Sequence, residues 1–326
     1  MADVGVAATQ MTCSWDRAEN LNRAEKLVRQ AASAGASIIL IQELFETPYF
    51  PIEQCHKHRS LACSLKESKA VKRFSDLARE LEVVLPISFF EKAGEVYFNT
   101  VAVADADGTL LGVYRKSHIP NGKGYQEKEY FSPGDTGFRV WRTRFGNVGV
   151  LICWDQWFPE AARCLTLQGA DIVLYPTAIG SGLGGGGDLL TGNDSVNAWR
   201  NAMCGHAACN ILPVVTSNRI GREYMTEDRK SHLDFYGSSF IADHEGQVVE
   251  QAGRDQEEEL DDQPVLGGRR IIVARPRSLS PESAASSPEN LQVITSNMKK
   301  GMKKSLSSRL GPGDPSVHQQ FSEKEI

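Results

Sequence analysis

The chain has 326 residues, 41% of them hydrophobic and 24% charged, with a formal net charge of −5. That length holds one large α/β domain with additions, or two ordinary domains, and the composition is that of a soluble globular protein. The mild negative charge gives no electrostatic basis for binding nucleic acid or an anionic membrane, and no apolar run is long enough to span a bilayer. Residues 1–6 lead directly into a strand with no basic or long apolar leader, so no signal peptide is expected. The seven cysteines are odd in number and include no Cys-x-x-Cys pair. That pattern points to reduced thiols in the cytoplasm rather than a disulfide framework.

Val4-Gly-Val-Ala-Ala reads as the first strand. Over 16–34, Leu21, Ala24, Leu27, Val28 and Ala31 share one face opposite Arg17, Glu19, Arg23 and Lys26. This predicts an amphipathic helix, closed by Gly35. An all-apolar strand over 37–41 then runs into Gln42 and Glu43. A carboxylate at the C-terminal end of a buried strand lies where α/β folds place chemistry; the plainer reading is a solvated residue leaving the core. The aromatic, proline-punctuated stretch 45–51, with Tyr49 and Phe50, suits a pocket lining or core filler. Cys55, His56, His58 and Cys63 lie close in sequence, but their spacing fits no structural zinc pattern, and no metal is expected. A helix over 69–81 and a strand over 83–90 follow, then strands over 98–104 and 110–115 joined by Asp-Ala-Asp-Gly. The last of these ends in Lys116, which reads either as a functional cation or as an ordinary solubilising charge. The polar loop 122–134, carrying Glu127, is longer than a simple connector needs.

Gly149-Val-Leu-Ile reads as a buried strand that ends on Cys153, followed by Trp154-Asp-Gln-Trp-Phe and then Pro159-Glu160. Proline suits a first helical turn, and an acid beside it complements the helix dipole. Strand, tight turn and helix in succession expose the turn residue to a crevice where backbone N–H groups converge. Cys153 is therefore a candidate nucleophile, against the alternative of a buried structural thiol. A helix over 159–168 and a strand over 170–175 lead to Thr177. The run 182–187 formally matches Gly-x-Gly-x-x-Gly, but the next helix starts only at 193–194 and the next strand, 211–217, ends in Asn218 rather than an acid. A flexible loop is expected there, not a dinucleotide site. A helix over 194–208 and a hairpin of strands 236–242 and 247–251 complete the ordered part. Beyond the acidic run ending at Glu259 the chain turns polar and Ser/Pro/Lys-rich, Ile271-Ile-Val apart. We expect residues 1–259 to form the catalytic domain and 260–326 a divergent, largely disordered tail.

Glu43 in Ile-Gln-Glu-Leu, Lys116 in Tyr-Arg-Lys-Ser-His-Ile-Pro and Cys153 in Gly-Val-Leu-Ile-Cys-Trp-Asp-Gln-Trp-Phe-Pro-Glu resemble the three signature blocks of the nitrilase superfamily of carbon–nitrogen hydrolases. The likeness is nearest to its branch acting on N-carbamoylputrescine. It covers about residue 4 to the acidic run and implies an α/β fold, a four-layer α-β-β-α sandwich with two central sheets. It also implies cytoplasmic hydrolysis of a small carbamoylated amine by a homo-oligomer, with no cofactor or metal. Cys153 would then be the nucleophile, Glu43 the acid–base and Lys116 the oxyanion cation, whose charge favours thiolate. Trp154 would add its backbone N–H, Glu127 would position Lys116 or substrate, and Tyr49, Phe50 and Thr177 would line the substrate site. The chain departs from that branch at Gly182, where a glutamate and an acidic loop are usual, and from Asp261 onward, where a sheet strand and an interface tail are usual. Asp188, Asp194 or Glu223 are the acids available to replace the first. The second implies an exposed sheet edge and weakened assembly. Two other readings are an ω-amidase using Arg200 or Arg219 to hold a carboxylate, and a non-catalytic protein that keeps the triad but not its assembly.

Overall fold

The computed structural model describes residues 4–181, 195–224, 232–254 and, for the main chain alone, 270–271. All of these fall within one compact unit, Met1–Ala274. The first half runs β1 (Val4–Ala8), α1 (Arg17–Ser33), β2 (Ile38–Leu40), α2 (Lys69–Leu81), β3 (Leu85–Ala93), β4 (Val96–Ala104) and β5 (Leu110–Arg115). β1 and β2 pair in parallel, with Val6 opposite Ile38 and Ala8 opposite Leu40. A parallel bridge between Ile38 and Val84 joins β2 to the entry of β3, and β3–β4–β5 form an antiparallel meander. The second half supplies β6 (Val140–Thr143), β7 (Gly146–Val150), α3 (Pro159–Leu167), β8 (Ile172–Pro176), β9 (Gly180–Ser181) and α4 (Val196–Asn210). It continues with β10 (Val214–Ser217), β11 (Ile220–Tyr224), β12 (His232–Tyr236), β13 (Phe240–Ala242), β14 (Val248–Gln251) and β15 (Arg270–Ile271). The second large sheet has the order β14-β13-β10-β8-β7-β6, and β11-β12-β9 form a small antiparallel sheet.

The two-residue alternation of a strand explains the layering. In β1, Val6 and Ala8 point into a core shared with Ile38, Leu40, Val101 and Val103 of the first sheet and Val148, Val150, Leu174 and Val214 of the second. Ala7 points the other way, with Ile39, Leu85 and Ile87, onto Leu21, Leu27 and Val28 of α1 and Phe74 and Leu77 of α2. The far side of the second sheet is covered by Ala161 and Leu165 of α3 and Trp199, Met203 and Ala207 of α4. Helix, sheet, sheet and helix therefore stack as the resemblance implied. Asp16 caps α1 by accepting from Ala18 N and Glu19 N at 2.9 and 3.1 Å, and Ser68 caps α2 from Val71 N at 3.1 Å. Each cap contributes about 1 kcal/mol.

Three features differ from the sequence reading. The strand expected over 236–242 is two strands in different sheets, because Gly237 and Ser238 both take left-handed backbone (φ 52° and 55°) between β12 and β13. The strand expected from residue 211 starts at Val214, since Ile211 is the left-handed C-cap of α4 (φ 54°). Within the segment read as a tail, Arg270–Ile271 pairs antiparallel with β1, Val4 opposite Ile271, where an exposed edge was expected. Its reason is the β-branched run that begins at Ile271. The glycine run 182–187, Asp188, Asp194 and the rest of 260–326 lie outside the described residues.

β1 passes so close to the end of α1 that a Cβ on Gly5 would stand 2.2 Å from the Gly35 carbonyl oxygen. Backbone cannot yield as a flexible side chain does. Gly5→Ala is expected to lower unfolding free energy by about 1–3 kcal/mol, read as a lower urea midpoint at unchanged slope. An unchanged midpoint contradicts this packing.

Candidate active site

The three leading sequence candidates sit on chain segments that leave strands. Glu43 follows β2, Lys116 follows β5 directly, and Cys153 follows β7. Two of the segments turn through left-handed backbone at non-glycine residues, Leu44 (φ 48°) and Cys153 (φ 42°). Such a conformation costs an L-residue roughly 1–2 kcal/mol, and it is held here by specific bonds. Leu44 N donates to Ser88 Oγ at 2.9 Å, and Glu43 N donates to the Thr177 carbonyl at 3.4 Å. Cys153 opens a 3-10 turn, Cys153–Trp157, that passes into α3 at Pro159. The Trp154 N–H lies in the first turn of the 3-10 helix, where main-chain donors have no intrahelical acceptor.

The side chains of Glu43, Lys116 and Glu127 are fully buried and Cys153 is nearly so. Lys116 Nζ donates to Glu43 Oε1 at 2.9 Å and to both carboxylate oxygens of Glu127 at 2.8 Å. Asn99 Nδ2 donates to the same Glu43 Oε1 at 2.6 Å. Glu43 Oε1 is thus doubly occupied, while Oε2 is buried with no partner among the described residues. Tyr49 OH donates to Glu127 Oε1 at 2.5 Å, so Glu127 is held from two sides. The Cys153 thiol lies 3.7 Å from the Ala178 carbonyl.

Charge explains the protonation states. Burial pulls the Lys116 ammonium down, but Glu127 and Glu43 outweigh it and the group stays charged, raised above its usual value. Burial pushes Glu127 up to about 7; Lys116 opposes this and Glu43 adds to it. The two groups' shifts pull opposite ways for Glu127, and the paired 2.8 Å contacts with Lys116 favour its ionised form. One cation and two carboxylates leave an excess negative charge. Burial, then Glu43, raises the Cys153 thiol well above its ordinary value, and Lys116 only partly offsets them. Lys116 pulls toward the thiolate, as expected of its charge, but burial and the two carboxylates outweigh it and favour the thiol.

The remaining sequence candidates sort by their contacts. Tyr49 is fully buried, with its hydroxyl on Glu127. Phe50 sits in an aromatic cluster, 5.1 Å from Phe90 and 5.0 Å from Tyr130 between ring centroids. Thr177 donates its hydroxyl to the Tyr175 carbonyl at 3.1 Å, and its own carbonyl receives Glu43 N. Glu223 and Arg219 hold each other at 2.7 Å, so neither is a free group for a substrate end. Arg219, fully buried, also donates to the carbonyls of Glu43 at 2.7 Å and Leu44 at 3.2 Å, and Glu223 accepts from Tyr49 N. The pair shapes the 43–49 segment from beneath. In the Cys/His segment, His58 pairs with Glu53 at 3.0 Å and His56 with Glu129 at 3.1 Å. Asn99, Arg219 as a backbone clamp, and Asp155 (below) were not singled out from sequence. The only signals were a lone amide inside the apolar β4 and an acid two residues beyond Cys153.

A raised thiol keeps its proton to higher pH. Alkylation of Cys153 by iodoacetamide, followed on its peptide by mass spectrometry, is therefore expected to keep accelerating past pH 9.0, the ordinary thiol value. A rate that levels off below neutral pH contradicts the neutral-thiol assignment.

Comparison with known proteins bears on the fold and the family. The carbon–nitrogen hydrolase family profile matches residues 5–267. The chain is 53% identical to an Arabidopsis thaliana N-carbamoylputrescine amidase over 251 residues, 77% of this chain and 82% of that protein. It is 50% identical to a Francisella tularensis citrullinase over 255 residues, 78% of this chain and 86% of the relative. The crystal structure of a Helicobacter pylori carbon–nitrogen hydrolase, 35% identical, superposes with a TM-score of 0.73 over 78% of this chain and 87% of that one. A four-layer sandwich, a buried Glu–Lys–Cys constellation at its strand ends and these similarities together establish that the chain belongs to the carbon–nitrogen hydrolase family of the nitrilase superfamily.

Proposed function

We propose that the protein hydrolyses the terminal ureido group of a carbamoylated amine, with N-carbamoylputrescine as substrate and putrescine, ammonia and carbon dioxide as products, a step of polyamine biosynthesis. The observation that carries the reaction class is the Glu43 carboxylate, with Oε1 filled by Lys116 and Asn99, Oε2 without a partner among the described residues, and Cys153 within its electrostatic reach. The substrate is supported by the 53% identity to a plant N-carbamoylputrescine amidase. In this reading the Cys153 sulfur attacks the ureido carbon while its proton passes to Glu43 Oε2. The carbonyl oxygen becomes an oxyanion stabilised by Lys116 Nζ and the Trp154 N–H. The C–N bond to the terminal nitrogen then breaks, Glu43 returns the proton to the departing ammonia, a water deprotonated by Glu43 displaces the carbamoyl carbon from sulfur, which recovers its proton, and the carbamic acid released loses carbon dioxide to leave putrescine. Tyr49, Phe50 and Thr177 belong to the walls of the same site, Tyr49 through Glu127.

A ureido amino acid such as citrulline shares the reacting group and is the second reading, supported by the 50% identity to a citrullinase. The ω-amide reading loses ground because Arg219, one cation proposed to hold a carboxylate, is already committed to Glu223. We place the activity in the cytoplasm, in keeping with seven unpaired cysteines. We also propose a homo-oligomer, in keeping with Leu167 and Ile211 at the ends of α3 and α4, 78% and 55% exposed.

Purified protein is expected to release ammonia from N-carbamoylputrescine faster than from citrulline. Cys153→Ser should abolish release, and Glu43→Gln should lower kcat by about 10²–10⁴-fold. Faster release from citrulline overturns the substrate; undiminished release by Cys153→Ser overturns the mechanism.

A further inference from the structure

The site has two halves carried by different sheets: Lys116 at the end of β5 in the first, and Cys153 at the end of β7 in the second. An oxyanion formed on the carbon that Cys153 attacks is stabilised by Lys116 only if the two halves keep a fixed separation. We propose that Asp155 is the positioning residue that sets this separation. The inference rests on the reading that Cys153 and Lys116 act on one carbonyl.

Asp155 is fully buried, and its carboxylate accepts hydrogen bonds from both halves. On the Cys153 side, Oδ2 takes Ile152 N at 2.9 Å, and Asp155 N donates back to the Ile152 carbonyl at 3.0 Å. The two bonds close the turn around Cys153 and hold its left-handed backbone. On the Lys116 side, Oδ2 takes Tyr114 OH at 2.7 Å, and Oδ1 takes His118 N at 3.0 Å and His118 Nδ1 at 2.7 Å. Tyr114 and His118 flank Lys116 by two residues on either side, so the carboxylate holds the Tyr114 side chain before the cation and the His118 main chain and ring after it. A second tie runs parallel: the His118 ring stacks on Phe158, from the same turn as Cys153, at 3.5 Å between centroids and 7° between planes. A buried carboxylate is costly unless its lone pairs are filled. Four donors fill this one, all from the two segments that must stay in register. Only a group of this length with acceptors on both oxygens spans both segments. An apolar residue would pack there but would leave Ile152 N and His118 N without a partner.

The test separates this inference from the proposed substrate by using p-nitrophenyl acetate, whose acylation of the thiol needs the same oxyanion pocket but no ureido group. Asp155→Asn keeps the size but loses the second acceptor. Its acylation rate constant should fall by about 10²-fold, with the half-saturating ester concentration changed less than roughly threefold and the cooperative unfolding transition kept. Tyr114→Phe, which removes one bond and leaves the ring packed, should lose roughly three- to tenfold in the same constant. If Asp155→Asn does not fold, Tyr114→Phe decides alone. Wild-type acylation rates in these variants, or losses confined to half-saturation, overturn the positioning role. Failure of the wild-type protein to hydrolyse N-carbamoylputrescine while the ester result holds overturns only the substrate.

Discussion

A lysine ammonium with no solvent contact has to be paired or neutralised, and that constraint organises this protein. Lys116 meets it with Glu43 on one side and Glu127 on the other, at 2.8–2.9 Å. Removing an ion from water costs several kcal/mol even after relaxation, and only close, multiply bonded partners return it. Each carboxylate in turn needs further donors: Asn99 on Glu43 and Tyr49 on Glu127. The network therefore reaches outward until the donors run out, and it leaves two buried acceptors unfilled among the described residues, Glu43 Oε2 and Asn99 Oδ1.

The same accounting governs the backbone around the site. The sandwich brings strand ends together from two sheets, but strand ends alone place side chains only coarsely. Fine placement comes from buried charged groups that bond main-chain atoms of the site segments. Arg219 gathers the carbonyls after β2, and Asp155 gathers N–H groups on both sides of the Lys116–Cys153 gap. Both sit where Leu44 and Cys153 hold left-handed backbone that would otherwise relax. Strain of this kind persists only where surrounding contacts over-determine it.

Much of this was legible in the sequence, for definite reasons. Helices α1 and α2 show in the periodicity of Leu21–Val28 and Val71–Leu77 types of spacing, since one face of each packs on a sheet. Glu43, Lys116 and Cys153 stand out because a polar residue ending an apolar strand has few reasons to be there. Asn99 does not stand out, since its purpose appears only when β4 pairs with β5 and carries it to Glu43. Asp155 and Arg219 serve main-chain atoms far off in sequence, and no local pattern encodes a bond between Arg219 and the carbonyl of Glu43. The break between β12 and β13 was missed because Ser238, an ordinary residue, takes a backbone that glycine usually supplies. The pairing of Arg270–Ile271 with β1 depends on contacts more than 260 residues apart, which composition cannot report.

Lys116 and Glu127 are expected to stabilise each other, neither being tolerated alone in this interior. A double-mutant cycle on urea unfolding, with Lys116→Met, Glu127→Gln and the pair, measures this dependence. Lys116→Met alone leaves two buried carboxylates without their cation and is predicted to cost about 3–5 kcal/mol. Adding Glu127→Gln is predicted to recover part of that loss, giving a coupling energy of roughly 1–3 kcal/mol. Strict additivity, with the double variant losing the sum of the two single losses, would contradict the account.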